Sequence, residues 1–89
     1  MKVEFDLDKD AENVRQRGLP LAFGAVVLSN AIGVVEDTRN QYGETRMKAF
    51  AQVHGLWFAR TYTMRGDVTR ILSVHRVREQ EARRWLKQE

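Results

Sequence analysis

Four side chains that could handle a phosphate or a proton stand on one predicted β-strand, which runs from about Val68 to Val77. Because side chains alternate between the two faces of a strand, Arg70 and Arg76 are expected to share one face. Ser73 and His75 are expected to share the other face. Cations held on a strand, rather than on a loose tail, indicate an anion that is bound at a fixed geometry.

Further cations stand on the two strands predicted before this one, Arg46 and Lys48 on the first and Arg60 on the second. The planar fork of donors on an arginine side chain suits the oxygens of a phosphate group. If the strands are neighbours, these side chains could line one open face together with Arg70 and Arg76. A single arginine is better explained as a solvent-exposed side chain at the edge of the sheet. Three or more on one face of the sheet indicate a binding site.

Cleavage of RNA is a reaction that such residues could carry out without a metal ion, because the 2′-hydroxyl of the substrate can act as the nucleophile. The protein must then supply a proton acceptor, a proton donor and cations at the phosphate. His75 is the first candidate for proton transfer, since the ordinary pKa of histidine is near neutrality. Tyr42 and Glu44 precede Arg46 in a predicted loop and could act as base or positioner. Alternatively, Glu44 is a loop carboxylate that pairs with Arg46.

The composition argues against several other kinds of site. The chain contains no cysteine, which excludes disulfides and thiolate chemistry. His54 and His75 are far apart in sequence, no carboxylates have ligand spacing, and no phosphate-binding loop or dinucleotide motif is present. We therefore expect no metal site and no cofactor. The longest apolar run, 19–29, is about half the length that crosses a bilayer, so the sequence predicts a cytoplasmic protein.

The charge of the chain is unevenly distributed. The net charge is +3, but residues 39–89 contain eleven basic and five acidic residues, which gives +6 for that part. A basic half favours binding to phosphates or to an acidic partner, although a solvated surface is the alternative.

The length of 89 residues predicts a single domain spanning 1–89. Hydrophobic periodicity predicts strands at 2–7, 32–35, 46–53, 56–64 and 68–77, with helices at 8–18, at 20–28 and from 78 onwards. Asp8 is the predicted N-cap of the first helix. Tight turns between the later strands require antiparallel pairing. The predicted fold is thus α+β, with a small antiparallel sheet, helices packed on one face and the order β-α-α-β-β-β-β-α.

Two apolar patterns predict which side chains of these elements are buried. In strand 46–53 the odd-numbered residues are apolar, so Arg46 and Lys48 should share the opposite face with Phe50. In the last helix Ala82, Trp85 and Leu86 form an apolar stripe. This stripe is predicted to contact the core, and contact with a partner is the alternative.

Five segments follow one another in the order and spacing of a known family. They comprise an aromatic–acidic opening, an asparagine-to-glycine helix end, a glycine–glutamate–x–arginine element, a tyrosine–threonine–x–arginine–glycine hairpin and an arginine-rich strand. They lie at 5–9, 13–18, 42–46, 62–66 and 70–77, with Glu81 near the usual position of a helix glutamate. In these segments the chain resembles the BrnT family, compact ribonuclease toxins of bacterial type II toxin–antitoxin systems with a RelE-like fold. The resemblance spans about residues 3–85.

The resemblance implies both a site and a partner. It implies that Glu44, Arg46, Arg70, Ser73 and Arg76 belong to the site or support it. It further implies a cognate antitoxin, typically a ribbon-helix-helix protein that neutralises the toxin and contacts operator DNA as part of the complex.

The chain also departs from the family pattern. Gln16 and Arg17 stand where the family usually has lysine and histidine, and His75 stands where it has arginine. Two interpretations follow: the activity is weakened or lost, or His75 takes over proton transfer.

Three hypotheses for function result. The first is an endoribonuclease toxin that needs no metal ion and inhibits translation by cutting RNA. In it Glu44, Arg46, Arg70, His75 and Arg76 are catalytic, and Arg17, Lys48, Arg60 and Ser73 bind substrate. The second is a catalytically weak or inactive module that pairs with a DNA-binding antitoxin and co-represses transcription. The third is simple nucleic-acid binding through the basic face.

Overall fold

A computed structural model describes residues 2–87 of the chain as one mixed sheet with three helices. The elements are β1 Lys2–Glu4, α1 Leu7–Arg17, α2 Phe23–Ser29, β2 Ala31–Glu36, β3 Met47–Val53, β4 Leu56–Arg65, β5 Val68–Val77 and α3 Glu79–Leu86. The predicted α+β class and the predicted element order are confirmed.

The strands lie in the order β1-β5-β4-β3-β2. The expected antiparallel pairing is found from β2 to β5, where short connections join β3 to β4 and β4 to β5. The pairing of β1 departs from that expectation, because β1 runs parallel to β5. A long connection through the rest of the fold separates these two strands, so no tight turn dictates their direction.

The helices cover both faces of the sheet, so the prediction that they pack on one face is wrong. On what we call the helix-pair face, α1 and α2 enclose a core of Leu21, Val27, Ala51, Phe58, Ile71 and Val74. We call the opposite face the groove face. There Ala82 of α3 packs in one cluster with sheet residues, namely Val35, Phe50, Trp57, Ala59 and Val77. Ala51 and Phe50 are adjacent in β3, and the alternation of a strand sends them to opposite faces.

The apolar stripe of the last helix contacts the core, as predicted. Trp85 and Leu86 pack against the groove-face cluster that includes buried Ala82. Gly33 of β2 permits the close approach, since a Cβ built at this position would lie 2.5 Å from Leu86 Cδ2. This helix covers only one end of the groove face and leaves the other end open.

The start of α1 differs by two residues from the prediction. Asp6, rather than Asp8, is the N-cap, because its Oδ1 accepts hydrogen bonds from the backbone N–H groups of Asp8 at 2.8 Å and Lys9 at 3.2 Å. The helix ends at Arg17, and Gly18 is its C-cap with a φ of 72°.

A β-bulge in β5 decides which of its side chains face the groove. Thr61 pairs with Ser73 and Tyr62 pairs with Ile71, so Leu72 is an extra residue opposite β4. Asn13 of α1 holds this region, because its side chain donates to Val74 O at 2.8 Å and accepts from Val74 N at 3.3 Å. The extra residue reverses the alternation at this point of the strand.

The bulge overturns the predicted division of β5. Arg70 pairs with Thr63, and Ser73 pairs with Thr61, so Arg70 and Ser73 lie on the same face of the sheet as His75. Arg76 pairs with Phe58 and lies exposed on the helix-pair face. A strict period of two cannot place Arg70 and Arg76 correctly, because it does not allow for an inserted residue.

Candidate functional site

A cavity of about 420 Å³ opens on the groove face beside α3. Five cationic side chains contribute to its walls, together with two carboxylates and several neutral polar groups. Its lining residues are Lys9, Arg17, Asp37, Arg39, Tyr42, Arg46, Lys48, Thr61, Leu72, Ser73, His75 and Glu81. We call this cavity the basic groove.

The middle of the sheet supplies polar side chains to the basic groove in register. Lys48 of β3 pairs with Thr61 of β4, which pairs with Ser73 of β5, so these three side chains form one row across the sheet. His75 lies one row further along, where it pairs with Ala59. Backbone hydrogen bonds of the sheet hold these groups in place, so their positions do not depend on loops.

Lys48 is a buried cation, with 6% of its surface exposed. Its Nζ lies 4.8 Å from the centroid of the Trp85 ring, a distance at which the ring face attracts an ammonium group. Burial is the main reason that the pKa of Lys48 is lowered, and the charge on Arg39 lowers it further.

His75 is uncharged at neutral pH. Burial lowers the pKa of its imidazole to about 4, and the positive charges of Lys48 and Arg17 add to the effect, while Glu81 opposes it. A neutral imidazole can accept a proton. An anion that entered the groove would offset the charges of Lys48 and Arg17 and would thereby raise the pKa of His75.

Arg46 projects a donor that no described residue satisfies. Its guanidinium lies over the Tyr42 ring at 4.0 Å, and its buried Nε makes no hydrogen bond within residues 2–87. Glu44 Oε2 lies 3.7 Å from this Nε, which is an ion-pair distance but too long for a hydrogen bond. The Nε donor is buried, whereas 30% of the side chain is exposed, so it is the exposed part of Arg46 that an oxygen acceptor in the groove can reach.

The loop between β2 and β3 is braced by Asp37. Its carboxylate accepts two hydrogen bonds of 2.9 Å from Arg39 and one of 3.2 Å from the Tyr42 hydroxyl. The hydrogen bonds from Arg39 are the main reason that the pKa of Asp37 falls to about 2. Arg39 lies 4.8 Å from the centroid of Trp85, whose ring Lys48 also contacts.

The structure brings together five of the nine site residues predicted from the sequence. Those that line the basic groove are Arg17, Arg46, Lys48, Ser73 and His75. Glu44 lies behind Arg46 and also pairs with Arg65 at 3.7 Å. Arg70 is on the groove face but outside the cavity, and it pairs with Glu4 at 3.3 Å.

The remaining two predicted site residues lie away from the basic groove. Arg76 is exposed on the helix-pair face. Arg60 is buried under α2, where its Nη1 donates to Gly24 O at 2.8 Å. The expectation that Arg46, Lys48, Arg60, Arg70 and Arg76 share one open face is therefore wrong, because Arg60 and Arg76 point to the opposite side.

Sequence reasoning missed part of the groove. Lys9 lies in the first predicted helix, and Asp37 and Arg39 lie between two predicted strands, so local patterns give them no role in a site. Trp85 was predicted as core, which it is, but its ring also contacts two of the groove cations. The sequence signal that could have identified this loop is the short spacing of Asp37, Arg39 and Tyr42. At this spacing an aspartate side chain can accept hydrogen bonds from residues of the same loop.

Two kinds of feature are not found within residues 2–87. No three or more histidine or acidic side chains in this part of the chain lie close enough together to hold a metal ion. None of its helices has the length and apolar character that crossing a membrane requires.

Comparison with protein families finds a match over most of the chain. The model of the ribonuclease toxin BrnT, of type II toxin–antitoxin systems, matches residues 5–81. This range contains every residue that lines the basic groove. A sequence search of curated proteins gives no significant match.

Proposed function

The chain belongs to the BrnT family of type II toxin–antitoxin ribonuclease toxins, and from this we propose that it cuts RNA in the basic groove without a metal ion. The observation that carries the proposal is the convergence of three groups on one cavity: neutral His75, buried Lys48 and the partly exposed side chain of Arg46. These supply a proton acceptor, a proton donor and a ligand for the phosphate.

The proposed reaction is a transesterification within the RNA strand. His75 takes the proton of the 2′-hydroxyl as the 2′-oxygen attacks the adjacent phosphorus. The bond from phosphorus to the 5′-oxygen breaks, and the Lys48 ammonium protonates that leaving oxygen. The products are a 2′,3′-cyclic phosphate and a 5′-hydroxyl. Lys48 suits the role of acid because burial lowers its pKa and so eases loss of the proton.

The phosphate is held by the cations of the groove. Arg46 donates from its guanidinium group to a phosphate oxygen, while Arg17 and Lys9 supply positive charge from α1. Charge that builds up on the phosphate in the transition state is stabilised most by donors already held in place. Ser73, in one row with Thr61 and Lys48, offers a hydroxyl to the substrate.

Residues outside the groove have other roles in this proposal. Glu44 is a positioning residue, because its contacts with Arg46 and Arg65 fix the side chain that binds phosphate. Arg70 joins β5 to the start of the chain through Glu4 and Asp6. Neither Arg60 nor Arg76 touches the substrate.

The proposal includes the biological setting of the family. A cognate antitoxin, expected to be of the ribbon-helix-helix type, neutralises the protein, and the complex contacts operator DNA through the antitoxin. Both act in the cytoplasm, where cleavage of RNA inhibits translation. An acidic antitoxin surface would complement the five cations of the basic groove.

Cleavage by purified protein in EDTA tests the function. The expected result is RNA fragments that end in 2′,3′-cyclic phosphate, formed at the same rate with EDTA or Mg²⁺. His75→Gln and Arg46→Met should each slow cleavage at least 100-fold, because removing one transition-state donor typically lowers the rate by about 10²–10³. Intact RNA under all conditions, or cleavage that requires a divalent ion, would refute the proposal.

A growth assay separates a toxin from an inactive module that pairs with an antitoxin. Induced expression of the wild-type chain should arrest growth, and expression of His75→Gln to the same level should not. Equal growth with both proteins would favour the inactive module. Binding to RNA that falls steeply with salt and yields no fragments would favour simple nucleic-acid binding.

A further inference from the structure

Arg60 is a buried charge that the proposed reaction does not use. Its exposed fraction is 0%, and its side chain crosses the helix-pair face beneath α2. Nη1 donates to Gly24 O at 2.8 Å. Nε and Nη2 have no hydrogen-bond partner among the described residues. The guanidinium carbon lies 4.4 Å from the centroid of the Tyr62 ring, which satisfies the charge only in part.

No carboxylate within residues 2–87 compensates this charge, since none of the ion pairs found there includes Arg60. Burial lowers the pKa of the guanidinium, but arginine remains protonated in proteins. A buried cation without an anion is costly, and an apolar side chain of similar size would avoid the cost. The two unpartnered donors of Arg60 would therefore be stabilised by an acceptor from another molecule.

A second cavity, of about 380 Å³, lies directly over Arg60. Its walls are largely apolar and come from β1 and α2, namely Val3, Ala25, Leu28 and Ser29, with Arg60 at its base. We call it the Arg60 pocket. Among the described residues that line it, Arg60 is the one charged group and the others are mostly apolar, which suits an aliphatic stem with an acidic end.

The surroundings of the Arg60 pocket favour a polypeptide over a small molecule. Val3 is 41% exposed and Met64 is 48% exposed. Thr69 pairs with both in the sheet, so the two apolar side chains lie in one row on the helix-pair face. β1 is also an edge strand. A polypeptide can pair with the edge strand, cover the apolar row and place a side chain in the pocket at the same time.

We propose that the Arg60 pocket anchors a segment of the antitoxin in which one Asp or Glu stands among aliphatic residues. The identity of this partner rests on the proposed function. On binding, the wall residues shift enough to expose the buried Nε and Nη2 of Arg60, which donate hydrogen bonds to the carboxylate, and the aliphatic neighbours cover Val3 and Met64. The pocket opens on the helix-pair face, whereas the RNA site opens on the groove face. The anchor therefore adds affinity without blocking the RNA site.

Short peptides test the anchor directly. The probes are acetyl-Leu-Glu-Val-amide, its glutamine counterpart as the matched neutral control, and butyrate. Binding is followed by the NMR signal of the Arg60 Nε–H group in the full ¹⁵N-labelled chain. The glutamate peptide should shift this signal and bind at least tenfold more tightly than the glutamine peptide. It should leave the rate of RNA cleavage unchanged, because the groove is on the other face.

Three variants make the test specific. Arg60→Met should abolish the preference for glutamate, as followed by amide signals of α2. Arg76→Met, which removes an exposed arginine from the same face, should leave the preference intact. If Arg60→Met fails to fold, Val3→Glu provides the second test, because a carboxylate at this exposed wall should weaken binding of the glutamate peptide at least fivefold.

Several outcomes would overturn the anchor. They are equal binding of the two peptides, no shift of the Arg60 signal, or a preference for glutamate that survives Arg60→Met. Butyrate that binds as tightly as the glutamate peptide would assign the pocket to a small aliphatic acid instead. Peptide binding by a protein that cuts no RNA would refute the proposed function but not the anchor. RNA cleavage without peptide binding would refute the anchor but not the proposed function.

Discussion

Replacing His75 should change how the stability of the protein depends on pH. The ordinary pKa of histidine is 6.5, and in the folded chain the pKa of His75 is about 4. Above pH 6.5 the imidazole is neutral in both the folded and the unfolded state. Between pH 6.5 and 4 the unfolded state binds a proton that the folded state does not bind. Stability is therefore lost as the pH falls through this interval.

The size of this loss follows from the two pKa values. At about 1.4 kcal/mol per pKa unit, a fall from 6.5 to about 4 corresponds to roughly 3 kcal/mol in full. The ring borders the open groove, so solvent screens part of the interaction. We expect a loss of about 1–2 kcal/mol between pH 7 and pH 4.5 that is due to His75 alone.

Urea unfolding at several pH values measures this contribution. The wild-type chain should lose about 1–2 kcal/mol more than His75→Gln between pH 7 and pH 4.5, because glutamine does not titrate. His54→Asn is the matched control. It removes a histidine from an exposed turn with a φ of 51°, which asparagine tolerates, and should follow the wild type. Parallel curves for wild type and His75→Gln would refute the burial argument and weaken the case for His75 as the proton acceptor.

Three further predictions concern the groove and the fold that supports it. Arg46→Met should lower kcat/KM for RNA cleavage about 100-fold, while Arg76→Met should leave it within about twofold, because exposed side chains away from a site have little effect. Similar losses in a cleavage assay would contradict the assignment of the two arginines to opposite faces. Asn13→Ala should cost about 2–4 kcal/mol in urea unfolding, since the buried groups at Val74 lose their partners, and a cost near zero would show that the bulge needs no brace. Gly33→Ala should cost about 1 kcal/mol through overpacking of Leu86. That cost should largely vanish in a Leu86→Ala background, and an unchanged cost would place its origin elsewhere.

Much of the architecture could be predicted from local patterns. Alternation in strand 46–53 assigned Lys48 and Phe50 to one face and Ala49 and Ala51 to the other, and the sheet register agrees. The apolar stripe of the last helix identified its buried side. These predictions succeed because burial of apolar side chains, repeated with the period of the element, is a local property of the sequence.

The layer arrangement could not be read from such patterns. The stripe of α3 shows that the helix is buried on one side, but not which face of the sheet it covers. That choice depends on the length and direction of the connections and on space between α3 and β2, where Gly33 admits Leu86. The parallel pairing of β1 with β5 is likewise a long-range contact.

By itself, the sequence determined the α+β class, the element order, the family and five of the residues that line the basic groove. Only the tertiary structure decided which cations face the groove. The extra residue at Leu72 brings Arg70 to the face of Ser73 and His75 and leaves Arg76 on the other. The physical reason is that the bulge is held by Asn13, 61 positions away from Val74, and a contact at that separation leaves no periodic signal in the strand.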